Sequence, residues 1–235
     1  MDGSPENFSA LLQRRQPLVV GSAGSQKALE PLYVGEECDI IELRLDCLGN
    51  GEDVHQFVES HRNSLPLILT ARHPDEGGSN GLSARRRAEL LSEFLPTGGL
   101  LDLELQSIGT LKEVWETGAE SGLLRIASWH DFDRCPSSEQ LRDIIQEMSD
   151  AGADIAKCAF KVAELSDLQR IPDALEAPPI PLSIMGMGPL ASCSRLLAAQ
   201  LGSVLNYGYL GEETTAPGQW SARLLREAIS SLAEA

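Results

Sequence analysis

The stretch Asp154–Val162 sets a lysine, Lys157, among small and apolar neighbours where a buried strand would run. At a period of two, Ile155, Lys157 and Ala159 share one face, and Ala156, Cys158 and Phe160 share the other. An ammonium group is costly to bury unless a carboxylate pairs with it or it is made neutral. A neutral amine in such a place can form a Schiff base with a ketone. A paired one is only a structural ion pair. On this stretch alone both readings stand.

Other residues of catalytic type stand at the ends of strand-like runs. Glu42 and Arg44 alternate with apolar residues in Asp39–Asp46, and Arg72 and Glu76 follow the run Leu65–Thr70. His130 follows Leu123–Ser128, Arg195 lies early in a helix-like segment, and Gln219 follows the loop Gly211–Gly218. Each has an ordinary explanation by itself. Arginine beside glutamate is usually an ion pair, a lone histidine is usually a surface or core residue (so His55, His61 and His73 are read), and a glycine- and proline-rich loop is usually a turn. Brought to one place they would serve imine chemistry. A histidine with a pKa near ~6.5 can act as both base and acid, and arginine forks suit a carboxylate. Three arginines around one lysine would also disfavour its ammonium form.

What must position them is a run of alternating elements. Strand candidates begin at about 17, 39, 66, 100, 123, 153, 180 and 203, about 27 residues apart, with helix-like segments between them. The helical segments are read at 52–63, from a Ser83 cap to about 95, and at 107–120, 136–150, 164–176, 190–201 and 219–232. Eight such units predict a parallel sheet closed into a (β/α)₈ TIM barrel, α/β in class and a single domain. In a closed barrel the polar face Glu42, Arg44, Asp46 points into the lumen, as does the face carrying Asp102 and Glu104. A doubly wound open sheet is the structural alternative, but no GxGxxG follows the first strand. Residues 1–16 read as a polar leader and 17–235 as the barrel.

Composition narrows the function classes. The 235 residues carry a net charge of −16, from 19 basic and 35 acidic side chains. That argues against a nucleic-acid or anionic-membrane surface, though a local arginine cluster still suits a small anion. Five cysteines with no CxxC pair predict reduced thiols in a cytoplasmic protein rather than a disulfide framework or zinc ribbon. No run approaches 18 apolar residues, so no membrane span is expected.

The motifs Glu42-Leu-Arg-Leu-Asp46, Thr70-Ala-Arg72 with Glu76-Gly-Gly78, Ser128-Trp-His-Asp-Phe132, Ala153-Asp-Ile-Ala-Lys157, Ser194-Arg195 and Ala216-Pro-Gly-Gln219 resemble type I 3-dehydroquinate dehydratase. They stand in family order and span strands two to eight. The resemblance implies a cofactor-free and metal-free lyase of the shikimate pathway, a homodimer that dehydrates 3-dehydroquinate to 3-dehydroshikimate. It implies that Lys157 forms the imine, that His130 moves the protons and that Glu76 holds His130. It further implies that Glu42, Arg44, Arg72, Arg195, Thr215 and Gln219 bind substrate. Two positions depart from the pattern. Trp129 stands where asparagine is frequent and by parity faces the helices, while Thr215 stands where serine is common. The first strand matches poorly, which leaves Ser22 without a role. Lys161 shares the parity of Lys157 but lies about 13 Å further along, at ~3.3 Å per residue, near the rim.

Two rivals remain at this level. An aldolase-type lyase acting on a phosphorylated sugar would use the same lysine, with glycines cradling phosphate, but Arg195 and Gln219 fit a carboxylate better. A catalytically idle barrel kept for assembly would not need Lys157, His130 and Glu76 together.

Overall fold

In strand after strand an apolar residue is followed, two positions on, by a polar one on the same face. The pairs are Ile40/Glu42, Ile68/Thr70, Leu100/Asp102, Ile126/Ser128 and Ile155/Lys157. A computed structural model of the chain describes residues 17–30, 34–216 and 218–233; the leader 1–16 lies outside them. The strands are β1 (Leu18–Ala23), β2 (Ile40–Arg44), β3 (Leu67–Thr70), β4 (Leu100–Glu104), β5 (Leu124–Asp131), β6 (Ile155–Lys161), β7 (Leu182–Met187) and β8 (Leu205–Tyr209). The helices are α1 (Val34–Glu37), α2 (Leu45–Leu48), α3 (Glu52–His61), α4 (Ala84–Phe94), α5 (Lys112–Glu120), α6 (Ser138–Asp150), α7 (Arg170–Leu175), α8 (Ala191–Gln200) and α9 (Ala222–Ala233).

All strand pairs are parallel, and the hydrogen-bonded order runs β7-β6-β5-β4-β3-β2-β1-β8. Between β7 and β8 the closure is sparser. It is made by Val204 N donating to Leu182 O (3.0 Å) and by two serines, Ser183 Oγ to Leu205 O (2.6 Å) and Ile184 N to Ser203 Oγ (3.1 Å). The predicted single-domain (β/α)₈ barrel is therefore the observed fold.

Strand parity separates two apolar layers. Ile41, Leu43, Ala156, Cys158, Phe160 and their equivalents pack outward against the helices. Leu18, Val20, Ile40, Ile68, Leu100, Ile126, Ile155 and Leu205 fill the lower lumen and are all buried. Each fully buried aliphatic side chain contributes about 1.5–3 kcal/mol, so this floor is a packed plug rather than a channel. The polar partners two residues on stand directly above it. Trp129 packs outward with the helix layer, as its parity predicts.

Local chemistry sets the element boundaries. Ser83 Oγ accepts from Arg86 N (3.2 Å) and starts α4, and a reciprocal Ser137–Gln140 capping box starts α6. Several boundaries differ from the expected ones. β2 ends at Arg44, and Leu45–Leu48 turns as a helix, because the Asp46 carboxylate collects the Arg44 fork and the backbone N–H groups of Arg72 and Ser79. Asp46 therefore sits beside the lumen wall instead of continuing the strand. Helix α5 begins at Lys112 after a 3₁₀ turn at Leu105–Ser107, and the segment 164–176 divides into a 3₁₀ turn and α7. The last helix begins at Ala222, because Trp220 O is used by Tyr209 N (3.0 Å). No helix among the described residues is long and apolar enough to cross a membrane, and none of the five cysteines forms a disulfide.

Candidate active site

Lys157 rises from the apolar floor on β6, in register with Ser128 on β5 and Ser183 on β7. Its Nζ donates to Asp102 Oδ2 (2.8 Å) and faces Glu42 Oε1 (3.4 Å). It also lies 3.9 Å from the centroid of the Tyr207 ring, close enough for a cation–π attraction. The lysine is thus buried and paired, in a pocket that Arg44, Arg72 and Arg195 also line. Its bonded charges are carboxylates: it shares Asp102 Oδ2 with Arg72, while Arg44 is forked onto Asp46. Burial works to raise Asp102, but the Arg72 guanidinium and the Lys157 ammonium outweigh it and hold the carboxyl well below the usual range. Burial likewise opposes Glu42, and Lys157 and Arg44 hold its carboxyl below its ordinary value. Ser22 Oγ (2.6 Å) and Thr70 Oγ1 (3.0 Å) donate to the two oxygens of Glu42 and fix its plane. That gives Ser22 a role the sequence left open.

Arg72 bridges the acids. Its NH1 reaches Glu104 Oε1 (3.1 Å) and Ser128 Oγ (2.5 Å), and its NH2 reaches Asp102 Oδ2 (3.0 Å). Arg44 forks onto Asp46 at 2.9 and 2.7 Å and donates to Gly77 O at 3.1 Å.

Glu76 and His130 form the second centre. Glu76 Oε2 is 2.9 Å from both the backbone nitrogen and the Nδ1 of His130, and Oε1 accepts from Gln106 Nε2 (2.8 Å). With Glu76 ionised, Nδ1–H is the donor and the lone pair is left on Nε2. Burial, reinforced by the cations Arg72 and Lys157, pushes His130 well below its ordinary value, so the imidazole is neutral. Burial pushes Glu76 up to about 7 against the pull of Arg72. The turn that delivers Glu76 is tight. Gly77 has φ +82°, and a Cβ on Gly78 would lie 2.2 Å from Arg72 O. Only glycine fits there.

Arg195 comes from α8 and is 3% exposed. Its NH1 donates to Tyr207 O (2.9 Å), while its Nε is buried without a partner. No carboxylate among the described residues compensates it, and burial lowers its pKa to about 10. A buried, uncompensated guanidinium at a pocket wall is a place for an anion. In the same pocket, Gln219 Oε1 accepts from Thr215 N (2.9 Å) and Thr215 Oγ1 (2.8 Å), which leaves its amide nitrogen as the donating end. Pro217 of this motif lies outside the described residues.

All nine predicted site residues line one pocket of about 470 Å³, including its open mouth. Lys161 is half-buried outside it. The sequence reading passed over Asp102, Tyr207 and Gln106 as site residues. Asp102 carried a usable signal, since it follows Leu100 by two exactly as Glu42 follows Ile40. Among the described residues, no group of three His, Cys, Asp or Glu is placed to hold a metal ion.

The model of the family described as type I 3-dehydroquinase matches residues 17–235. A 3-dehydroquinate dehydratase of Methanocella arvoryzae is 33% identical over 92% of this chain and 97% of its own length. One of Methanothrix thermoacetophila is 35% identical over 94% of both. The crystal structure of a type I 3-dehydroquinate dehydratase from Clostridium difficile superposes with a TM-score of 0.80 at 25% identity, covering 93% of each chain.

Proposed function

Because the chain belongs to the type I 3-dehydroquinase family, we propose that it dehydrates 3-dehydroquinate to 3-dehydroshikimate through an imine on Lys157, with His130 as general acid and base. The observation that carries the proposal is the pairing of a buried lysine with a neutral, Glu76-held histidine in one pocket.

The deprotonated Lys157 amine adds to the substrate ketone, and the carbonyl oxygen leaves as water. The resulting protonated imine keeps a positive charge on the same nitrogen. Asp102, Glu42 and the Tyr207 ring, which face the ammonium, face the iminium in the same way, so the pocket need not rearrange its charges. Asp102 and Glu42 are held too acidic to take the lysine proton. The neutral His130, backed by Glu76, takes that proton and returns it to the carbinolamine oxygen that leaves as water, so it is neutral again for the next step. The iminium withdraws electrons from the adjacent C–H bond, and His130 Nε2 takes that proton to give an enamine. His130, now an imidazolium supported by Glu76, returns the proton to the hydroxyl that departs. Water then releases the product from Lys157. Arg195 holds the substrate carboxylate, Gln219 and Thr215 close over it, and Glu42, Arg44 and Arg72 shape the remaining wall. The same family footing carries the remaining parts of the proposal: a cofactor-free reaction, no nucleic-acid partner, a cytoplasmic location and a homodimer.

Reduction with borohydride in the presence of 3-dehydroquinate, followed by peptide mass mapping, tests the proposal: the adduct is expected on Lys157. An adduct on Lys161, or none, would overturn it.

Two smaller predictions follow from the geometry. Arg195→Lys keeps the charge and loses the fork, which costs about 1–3 kcal/mol of binding and raises KM roughly 10- to 100-fold. A KM within twofold of wild type would place the carboxylate elsewhere. Glu76 must be ionised to support an imidazolium, so kcat is expected to rise with pH through about 7. In Glu76→Gln this acid limb should vanish, and kcat at pH 8 should fall about 10-fold. Persistence of the limb would assign it to another group.

A further inference from the structure

Arg87 is 1% exposed and lies on α4, behind the barrel wall and outside the pocket lining. Its Nε donates to Ala71 O (2.6 Å), its NH1 to Ser107 Oγ (3.1 Å), and its NH2 to Glu104 Oε2 in a very short contact. The other oxygen of Glu104 accepts from Arg72 NH1 (3.1 Å) and from the backbone nitrogen of His73 (2.8 Å). Charges therefore alternate from the pocket outward: Lys157, Asp102, Arg72, Glu104, Arg87.

These contacts fall at the roots of two turns. Ala71 precedes Arg72 and the turn that ends in Glu76. Ser107 follows Gln106, whose amide donates to Glu76 Oε1. One guanidinium thus grips both segments that hold Glu76, one from each side. It also balances the interior. Glu42, Asp102 and Glu104 are three buried carboxylates, and Lys157, Arg72 and Arg87 are the three cations that meet them, while Arg44 is forked onto Asp46. A neutral residue at 87 would leave Glu104 sharing Arg72 with Asp102.

We propose that Arg87 is a positioning residue for the proton-transfer pair: through Glu104 and the two turns it fixes where Glu76 holds His130. The proposal rests on the roles given above to Glu76 and His130. It goes beyond them in placing a determinant of their geometry on an outer helix.

The charged and polar groups facing Glu76 are Arg72 after β3, Glu104 at the end of β4, Gln106 after β4, and His130 on β5, with the Cys158 thiol on β6 nearby. Of these, Glu104 is the one whose charge Arg87 offsets. Removing Arg87 makes the surroundings of Glu76 more negative and raises its carboxyl further, so the acid limb of kcat moves to higher pH.

Arg87→Met and Arg87→Lys test this with three readings: kcat and KM against pH, borohydride trapping of 3-dehydroquinate on Lys157, and the thermal midpoint. In Arg87→Met, trapping should stay within about twofold of wild type, because Lys157 keeps Asp102 and Glu42. Its kcat should fall about 10-fold and its acid limb should rise by about half a pH unit or more. Arg87→Lys retains the charge without the three-way grip, so its limb should stay in place while kcat lies between the other two. Folded variants with a lowered thermal midpoint but wild-type kcat and limb would make Arg87 a staple only and overturn the proposal. Should the methionine variant fail to fold, the lysine variant decides: reduced kcat with KM within twofold supports positioning, and wild-type kcat overturns it. A wild-type protein that gives no Lys157 adduct overturns the functional reading and this inference together, whereas an adduct in wild type with unchanged Arg87 variants overturns this inference alone.

Discussion

Lys157→Met is expected to abolish borohydride labelling by 3-dehydroquinate and to lower turnover by at least ~10³-fold, because no other amine in the pocket can form the imine. The substitution should also cost stability. It leaves Asp102 and Glu42 facing each other in the lumen with one cation fewer, and breaking a buried pair in this way costs about 3–5 kcal/mol. The pH dependence distinguishes this from a packing defect. In the wild type both carboxyls are held below their ordinary values. They contribute stability above about pH 4 to 4.5 and lose it as the pH falls. Without the ammonium at least one of them is raised above its unfolded value, so its contribution is retained at low pH and lost as pH rises through the new value. The thermal midpoint of Lys157→Met should therefore improve on acidification from pH 7 to pH 5, and Asp102→Asn in the same chain should recover part of the loss. A labelled, active Lys157→Met protein would remove the lysine from the mechanism.

His130→Ala separates imine formation from proton transfer. The bonds from Lys157 to Asp102 and Glu42 do not pass through His130, so an adduct should still form with substrate or product. It should form slowly, since the neutral acceptor for the lysine proton is gone. Turnover should drop at least ~10²-fold, the usual contribution of a positioned general base. Mass spectrometry of the reduced protein beside steady-state rates reads both quantities. Near-normal turnover would leave the proposal standing on Lys157 alone.

The period-two parity of the strand runs carried most of the architecture and much of the site. It placed Lys157 and Glu42 in the lumen and Trp129 outside it, because a pleated strand leaves a side chain only two directions to choose from. Parity could not say which polar residues meet. Asp102 and Glu104 read as one more alternating pair, and only barrel closure brings Asp102 within 2.8 Å of a lysine 55 positions away. The end of β2 was hidden for a different reason. Asp46 continues the alternation perfectly, and the helical turn that overrides it is held by donors from Arg72 and Ser79, which lie far along the chain. The late start of α9 likewise depends on a bond between Tyr209 and Trp220 that no local pattern encodes. The sequence reading did not single out Arg87 among the consecutive arginines 85–87, because its burial comes from the two turns that close over it.

The closure between β7 and β8 has a consequence for how the barrel breathes. Seven strand junctions are laced by continuous backbone ladders, while this one relies on a single amide near the floor and on serine hydroxyls. Above those serines, the Arg195 guanidinium spans it by donating to Tyr207 O. The group assigned to the substrate's carboxylate is thus also the clasp of the molecule's loosest joint. Binding of the substrate carboxylate at that guanidinium is therefore expected to slow amide exchange at the β7–β8 seam.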